Sequence, residues 1–363
     1  MKTGTILIMA GGTGGHVFPG LAVADYLRQL GWHIVWLGTQ AGMEQKLVPA
    51  RGYVTEVISF SGLRGKQWTT WLLLPLRLLK AFLQSIRILR RVKPDVVLGM
   101  GGYPAFPGGL MASLLNRPLI IHEQNALPGL TNKVLAQLAD KVMLGFPGAL
   151  DSAAGKTVFS GNPVRADITR LSPPQQRFHG REGRLKLLVV GGSLGAQILN
   201  TTVPQALKSI PVELRPQVVH QTGAAHVQTV QKTYADLGVT GEIMAFVDDM
   251  AKQYAECDLV VCRAGALTVA EISAAGVASI LVPYPYAVDD HQTSNARFLA
   301  DQGAALLIPQ SELNPEKLAQ WLTTLTRDKL LDMAGKARSL AKPEATRVVA
   351  EACIELSGVV HEA

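Results

Sequence analysis

Cysteine is scarce. Cys257, Cys262 and Cys353 are the whole complement in 363 residues, with neither metal-ligand spacing nor the even count of a disulfide framework. They read as reduced thiols, and a disulfide-stapled scaffold is excluded. Uninterrupted apolar runs are short as well, none reaching the roughly 18 residues that a membrane-spanning helix needs. The first of them, Thr5–Ala10, breaks at once into Gly11-Gly12, which suits a buried strand and not a secretory leader. Aromatic residues make up 6%; no nucleic-acid recognition motif accompanies the basic residues, so no nucleic-acid partner is expected. The pattern G-x-x-x-x-G-K-[ST] is missing too, which excludes a P-loop nucleotidase.

Acidic residues are absent over one long stretch. From Val57 to Pro94 there is no Asp or Glu, whereas Arg64, Lys66, Arg77, Lys80, Arg87, Arg90, Arg91 and Lys93 place eight cations in 38 residues. That is more than the formal surplus of the whole chain, +7. Periodicity predicts a helix over Trp71–Val92, with Pro75 tolerated near its start. Trp71, Leu72, Leu76, Leu78, Leu79, Phe82, Leu83, Ile86 and Leu89 cover a wider arc than a surface helix needs. Two readings follow. The helix is buried on two sides, or its spare apolar face dips into an anionic membrane surface with cations flanking it.

Glycine, by contrast, is plentiful at 35 residues, and much of it is clustered. With 48% hydrophobic and 17% charged residues the chain is a globular protein, long enough for two domains of roughly 150–200 residues. The two halves repeat one order. Thr5–Ala10 is an apolar strand followed by the turn Gly11–Gly15 and a helical stretch over Pro19–Leu30. Lys186–Val190 is another, followed by Gly191–Gly195 and a helical stretch over Ala196–Leu207. Strand, glycine turn, helix opens a doubly wound α/β unit. Further strands are expected at His33–Leu37, Asp95–Gly99, Leu119–His122 and Lys141–Leu144 in the first half. In the second they are expected at Gln217–His220, Ile243–Val247, Leu259–Cys262 and Ser279–Val282. Helical patterns separate most of them, which implies mainly parallel sheets. The boundary falls in Leu171–Gly183 or a little earlier, near Asn162-Pro163. Two such domains facing across a deep cleft would bind ligands at the C-terminal ends of their strands.

Glycine turns between strand and helix let backbone N–H groups reach phosphate oxygens, and the helix N-terminus adds partial positive charge. The bland alternative is that each is only a tight turn. A nicotinamide dinucleotide also wants an acid at the end of the second strand. Gly38-Thr39-Gln40 and Gln221-Thr222-Gly223 carry none there. An acid suited to ribose hydroxyls occurs instead at Glu271, beyond the strand Leu259–Cys262 and the turn Arg263–Gly265; its other reading is an acid favoured by the helix dipole near a helix start.

Together these segments resemble the MurG family of N-acetylglucosaminyltransferases over essentially the full length. The resemblance rests on Gly11-Gly12-Thr13-Gly14-Gly15-His16-Val17-Phe18-Pro19-Gly20, Gly99-Met100-Gly101-Gly102-Tyr103 and His122-Glu123-Gln124-Asn125. It continues through Gly161-Asn162-Pro163-Val164-Arg165, Gly191-Gly192-Ser193 and Cys262-Arg263-Ala264-Gly265-Ala266-Leu267-Thr268-Val269-Ala270-Glu271. It implies α/β GT-B architecture: two doubly wound Rossmann-like domains separated by a deep cleft, with no metal and no cofactor. Residues 1–164, joined by a returning helix within 345–363, would bind the acceptor and associate with the membrane. Residues 165–344 would bind UDP-GlcNAc. The acceptor would be a polyprenyl-linked muramyl peptide, and the enzyme would sit peripherally on the anionic cytoplasmic face of the cell membrane.

Residue by residue, the resemblance assigns the diphosphate to Ser193, the ribose to Glu271 and uracil to the backbone of Val247. Arg165 would lie near the nucleotide, and Ala266, Leu267, Thr268, Val269 and Ala270 would supply loop amides. Gln292 would read the GlcNAc hydroxyls, and Thr13, Gly14, Gly15 and Asn125 would close over the sugar. Leu194 departs from the glutamine frequent in the family. No D-x-D triplet is present to hold a divalent ion on a nucleotide sugar. His16 is the candidate general base, since imidazole titrates near working pH; a helix-start scaffold is its other reading. Glu123 and His122 are weaker rivals. A UDP-GlcNAc 2-epimerase and a non-catalytic nucleotide-sugar-binding protein are the alternative functions.

Overall fold

A computed structural model of the chain describes residues 3–60, 73–150, 155–192 and 194–359. It divides into two compact units, Met1–Arg165 with Pro343–Ala363, and Ala166–Lys342.

Among the described residues the first unit is built on seven parallel strands: β1 (Thr5–Ala10), β2 (His33–Thr39), β3 (Val54–Ile58), β4 (Val96–Gly101), β5 (Leu119–Glu123), β6 (Lys141–Leu144) and β7 (Thr157–Phe159). Their order in the sheet is β3-β2-β1-β4-β5-β6-β7. Ile6 lies opposite Ile34 on one side and Val96 on the other, so β1 is central. A strand covered on both faces reads as a continuous apolar run, and Ile6, Leu7, Ile8 and Met9 have no solvent exposure at all. The helix Ala345–Ser357 returns to this unit. It packs on the helix Gly14–Gln29 and on β4, adding Val349, Ala350 and Cys353 to the core around Ile6 and Leu21.

The second unit repeats the plan with six parallel strands: β8 (Lys186–Val190), β9 (Gln217–Gln221), β10 (Glu242–Met244), β11 (Leu259–Cys262), β12 (Ala278–Leu281) and β13 (Leu306–Leu307). The order is β10-β9-β8-β11-β12-β13. Both sheets are therefore doubly wound, and both reverse direction beside their first strand, between β1 and β4 and between β8 and β11.

Three strands carry too little apolar pattern to be expected from sequence: β3 is half polar at an edge, and β7 and β13 are three and two residues long. The first helix also begins five residues earlier than expected, at Gly14. The Thr13 carbonyl accepts from His16 N and Val17 N at 3.1 and 3.2 Å, so Pro19 falls inside the helix and not at its start.

The cation-rich helix is described over Leu74–Val92; Trp71 and Leu72 lie outside the described residues. It buries only one face, through Ala81, Ser85, Ile88 and Leu89. Leu76, Leu79 and Leu83 are 65%, 54% and 48% exposed, so burial on two sides does not hold. They line a shallow surface depression with Lys80, Gln84 and Arg87. Arg91, on the same helix, pairs with Glu56 of β3.

Candidate active site

Thr13–His16 follow β1 and Ala266–Glu271 follow β11, strands that flank the reversal in sheet order, whereas Asn125, Val247 and Gln292 follow the ends of β5, β10 and β12. In the first unit β1 passes into the turn Gly11–Thr13. Gly12 has φ +89°, a left-handed backbone that favours glycine. A second glycine makes room for the turn: a Cβ on Gly102 would lie 2.2 Å from the carbonyl oxygen of Gly11.

His16 stands in the first turn of the helix that follows. Its Nδ1 lies 3.3 Å from the carbonyl oxygen of Gly11 and 3.5 Å from Thr13 Oγ1. A carbonyl only accepts, so Nδ1 carries the ring proton and Nε2 carries the lone pair of the neutral imidazole. That nitrogen faces Gly101, where a Cβ would come within 3.1 Å of it. Thr13, Gly14, Gly15 and His16 thus form one continuous turn-and-helix start, with Gly101 and Gly102 beside it.

The rivals for proton transfer are fully engaged. Glu123, at the end of β5 and 2% exposed, accepts from Asn125 N at 2.9 Å and Asn132 Nδ2 at 2.8 Å. It also accepts from Asn125 Nδ2 and Gly129 N. It is the anchor that shapes the loop carrying Asn125. His122 donates from Nε2 to the Gly161 carbonyl at 3.0 Å and accepts at Nδ1 from Gln124 Nε2 at 3.2 Å. Burial pushes its pKa down to about 4 despite the Gly161 bond. Neither nitrogen of that ring is available to a substrate.

In the second unit Ser193 lies outside the described residues. Around it, Gly195 has φ +77° and its hypothetical Cβ would sit 2.0 Å from the Thr222 carbonyl, so this turn packs on the end of β9 as the first turn packs on Gly102. Leu194 is 86% exposed. Ala266, Leu267, Thr268, Val269 and Ala270, expected as loop residues, belong to the helix Ala266–Ala275. The amides of Ala266, Leu267 and Thr268 precede its first backbone bond, from Val269 N to Gly265 O at 2.9 Å. These three are the amides placed to meet an anion.

Glu271 falls in the second turn of that helix, nearly buried, and its Oε2 accepts from the Tyr254 hydroxyl at 3.2 Å. Burial first, then the Glu271 charge, raises the Tyr254 pKa well above its ordinary value, which keeps the phenol a donor. Gln292 opens the helix His291–Ala300. Its Oε1 accepts from Tyr284 N at 3.0 Å and Ala264 N at 3.3 Å, which fixes the orientation of the amide, with Nε2 as its donating end. Arg263 is a clasp between strand ends, donating to the Val282 and Pro283 carbonyls and to Gln310 Oε1 at 2.7 Å. Val247 is buried three residues past β10, and its chain neighbour Phe246 is exposed. Arg165 ends the first of the two chain segments that make up the first unit.

Two residues with no motif signal join these sets. One is Tyr254, which reaches Glu271. The other is Glu44, whose carboxylate bonds Thr39 at the end of β2 and Gly12 in the first turn. The end of β2 is therefore served by an acid after all, five residues beyond the strand.

Models of the N-terminal and C-terminal domains of glycosyltransferase family 28 match residues 6–144 and 186–353. A relative from Nitrosospira multiformis, described as UDP-N-acetylglucosamine--N-acetylmuramyl-(pentapeptide) pyrophosphoryl-undecaprenol N-acetylglucosamine transferase, is 64% identical. That match covers 98% of this chain and 99% of the relative. One from Nitrosomonas europaea with the same description is 62% identical over 98% of this chain and 100% of its own. The crystal structure of MurG from Acinetobacter baumannii superposes with a TM-score of 0.82 at 43% identity, covering 97% of this chain and 99% of that one. The chain belongs to the MurG family. Membership spans both units of this MurG-family chain, including the returning C-terminal helix.

Proposed function

We propose that the chain is an inverting transferase that moves GlcNAc from UDP-GlcNAc to the 4-hydroxyl of an undecaprenyl-diphosphate-linked N-acetylmuramyl-pentapeptide, a step of peptidoglycan synthesis. The observation that carries this reading is the end-to-end likeness, through both units, to relatives described by that activity.

The acceptor hydroxyl attacks the anomeric carbon of GlcNAc from the face opposite UDP. A new C–O bond forms, the anomeric C–O bond to the diphosphate breaks, and UDP departs with the electron pair, turning α into β. The hydroxyl proton goes to Nε2 of His16. The Nδ1–H bond to the Gly11 carbonyl supports this role, because it leaves Nε2 basic and holds the ring in place. Charge on the departing diphosphate is met by Ser193 and the first amides of the helix Ala266–Ala275. Glu271 takes the ribose hydroxyls, the Val247 backbone takes uracil, and Arg165 approaches the nucleotide. Gln292 Nε2 reads a GlcNAc hydroxyl, while Thr13, Gly14, Gly15 and Asn125 close over the sugar and the acceptor.

The acceptor's polyprenyl tail requires work at a bilayer surface. No helix among the described residues is long and apolar enough to cross a membrane. Leu76, Leu79 and Leu83, exposed in a row beside Lys80 and Arg87, suit peripheral docking on anionic lipid.

The test is UDP release from UDP-GlcNAc, with and without the lipid-linked muramyl-peptide acceptor. Release that depends on the acceptor is expected. Conversion of UDP-GlcNAc alone to UDP-ManNAc would identify an epimerase, and tight binding with no turnover a nucleotide-sugar-binding protein.

A further inference from the structure

The side chain of Glu44 has no solvent exposure, and among the described residues no cation pairs with it. It lies in a cradle of glycines. A Cβ on Gly11 would come within 2.6 Å of its Oε1, one on Gly38 within 2.7 Å of its Cγ, and one on Gly42 within 1.8 Å of its Oε2. Three donors converge on it instead. Oε1 accepts from Thr39 N and Thr39 Oγ1, both at 2.9 Å, and Oε2 accepts from Gly12 N at 3.1 Å. Burying a carboxylate is costly unless its lone pairs are filled, and here two backbone N–H groups and the Thr39 hydroxyl fill them.

The Gly12 N–H belongs to the same peptide group as the Gly11 carbonyl. On its other edge that peptide accepts from His16 Nδ1 at 3.3 Å. The order is therefore carboxylate, peptide, imidazole. Gly12, at φ +89°, has backbone freedom to rotate this peptide; rotation would break both bonds at once. With the N–H held by a buried carboxylate, the carbonyl is fixed toward the imidazole and dictates which ring nitrogen keeps the proton.

We propose that Glu44 is a positioning residue for transfer. Acting through the Gly11–Gly12 peptide, it holds His16 in the Nδ1–H tautomer with Nε2 presented as the base. The proposal rests on the reading of His16 as that base, and its test separates the two. Glu44→Gln keeps the size of the side chain but sets an NH2 group against either Gly12 N–H or the Thr39 donors.

Three quantities are measured in the full chain: kcat, KM for UDP-GlcNAc, and the 15N shifts of the His16 imidazole above its titration, assigned by comparison with His16→Ala. In the wild type the His16 shifts should be those of the Nδ1–H form. In Glu44→Gln the Nε2–H form should gain population and kcat should fall by about tenfold or more, with KM for UDP-GlcNAc within about twofold. If Glu44→Gln does not fold, Thr39→Val, which removes one of the three donors, should show a smaller change of the same kind. An unchanged tautomer overturns the proposal, whatever happens to kcat, because an effect on rate would then not run through the peptide. Full kcat in His16→Ala overturns the reading of His16 as base, and the tautomer shift still decides whether Glu44 orients the ring.

Discussion

The hydroxyl of Tyr254, with no solvent exposure, donates to Oε2 of Glu271 at 3.2 Å and so fixes one oxygen of a carboxylate in the second turn of a helix. The ribose reading then gives Tyr254→Phe a restricted effect. UDP affinity should fall about tenfold, since one hydrogen bond to a charged group contributes about 1.5 kcal/mol. Binding of UDP lacking its ribose 2′- and 3′-hydroxyls should be weak already and unaltered by the substitution. Glu271→Ala should show the same pattern more strongly. Calorimetric titration of both ligands decides it; equal losses for the two would remove Glu271 from the ribose.

His16→Ala should lower kcat about 100-fold or more, the usual range for a positioned general base, with little change in KM for UDP-GlcNAc. Steady-state kinetics with saturating acceptor give the split. A change confined to KM would return His16 to a scaffold role.

Two buried histidines make stability depend on pH. Burial lowers the pKa of His122 and of His220 from the ordinary 6.5 to about 4. Between these values the unfolded chain binds protons that the folded chain does not. Stability is therefore full above about pH 6.5 and falls as pH drops toward 4. His122→Gln should make the dependence of unfolding free energy on pH shallower by about 1.4 kcal/mol per pH unit in that window. Denaturant melts at several pH values measure it, and an unaltered slope would mean that His122 is already protonated in the fold.

The exposed leucine row gives a docking prediction. Flotation with anionic vesicles should recover the protein, and high salt should weaken recovery. Arg87, Arg90 and Arg91 changed together to Ser should weaken it too, although Arg91 already pairs with Glu56. Leu76, Leu79 and Leu83 changed to Ser should reduce it without changing its salt dependence. Recovery unaffected by salt and by both sets would refute docking through this helix.

The fold was legible wherever burial on both faces writes a continuous apolar run, as in β1, β8 and β11. It was not legible in β3, β7 and β13, which are short or half polar and held by their neighbours. The glycine turns announced themselves because Gly12 and Gly195 need positive φ. Glu44 and Tyr254 did not, because each acts on a residue distant in sequence: Glu44 reaches Gly12 32 positions away, and Tyr254 reaches Glu271 17 positions away. The exposed side of the helix Leu74–Val92 was ambiguous for a related reason. Periodicity counts apolar residues but does not say which neighbours cover them.

The most direct measurement is the structure of the lipid product formed from UDP-GlcNAc and the undecaprenyl-diphosphate-linked muramyl pentapeptide. NMR of that product should show one added GlcNAc in β linkage to the 4-position of the muramyl unit, with one UDP released per linkage. An α linkage, attachment at another hydroxyl, or UDP-ManNAc in place of a disaccharide would contradict the account.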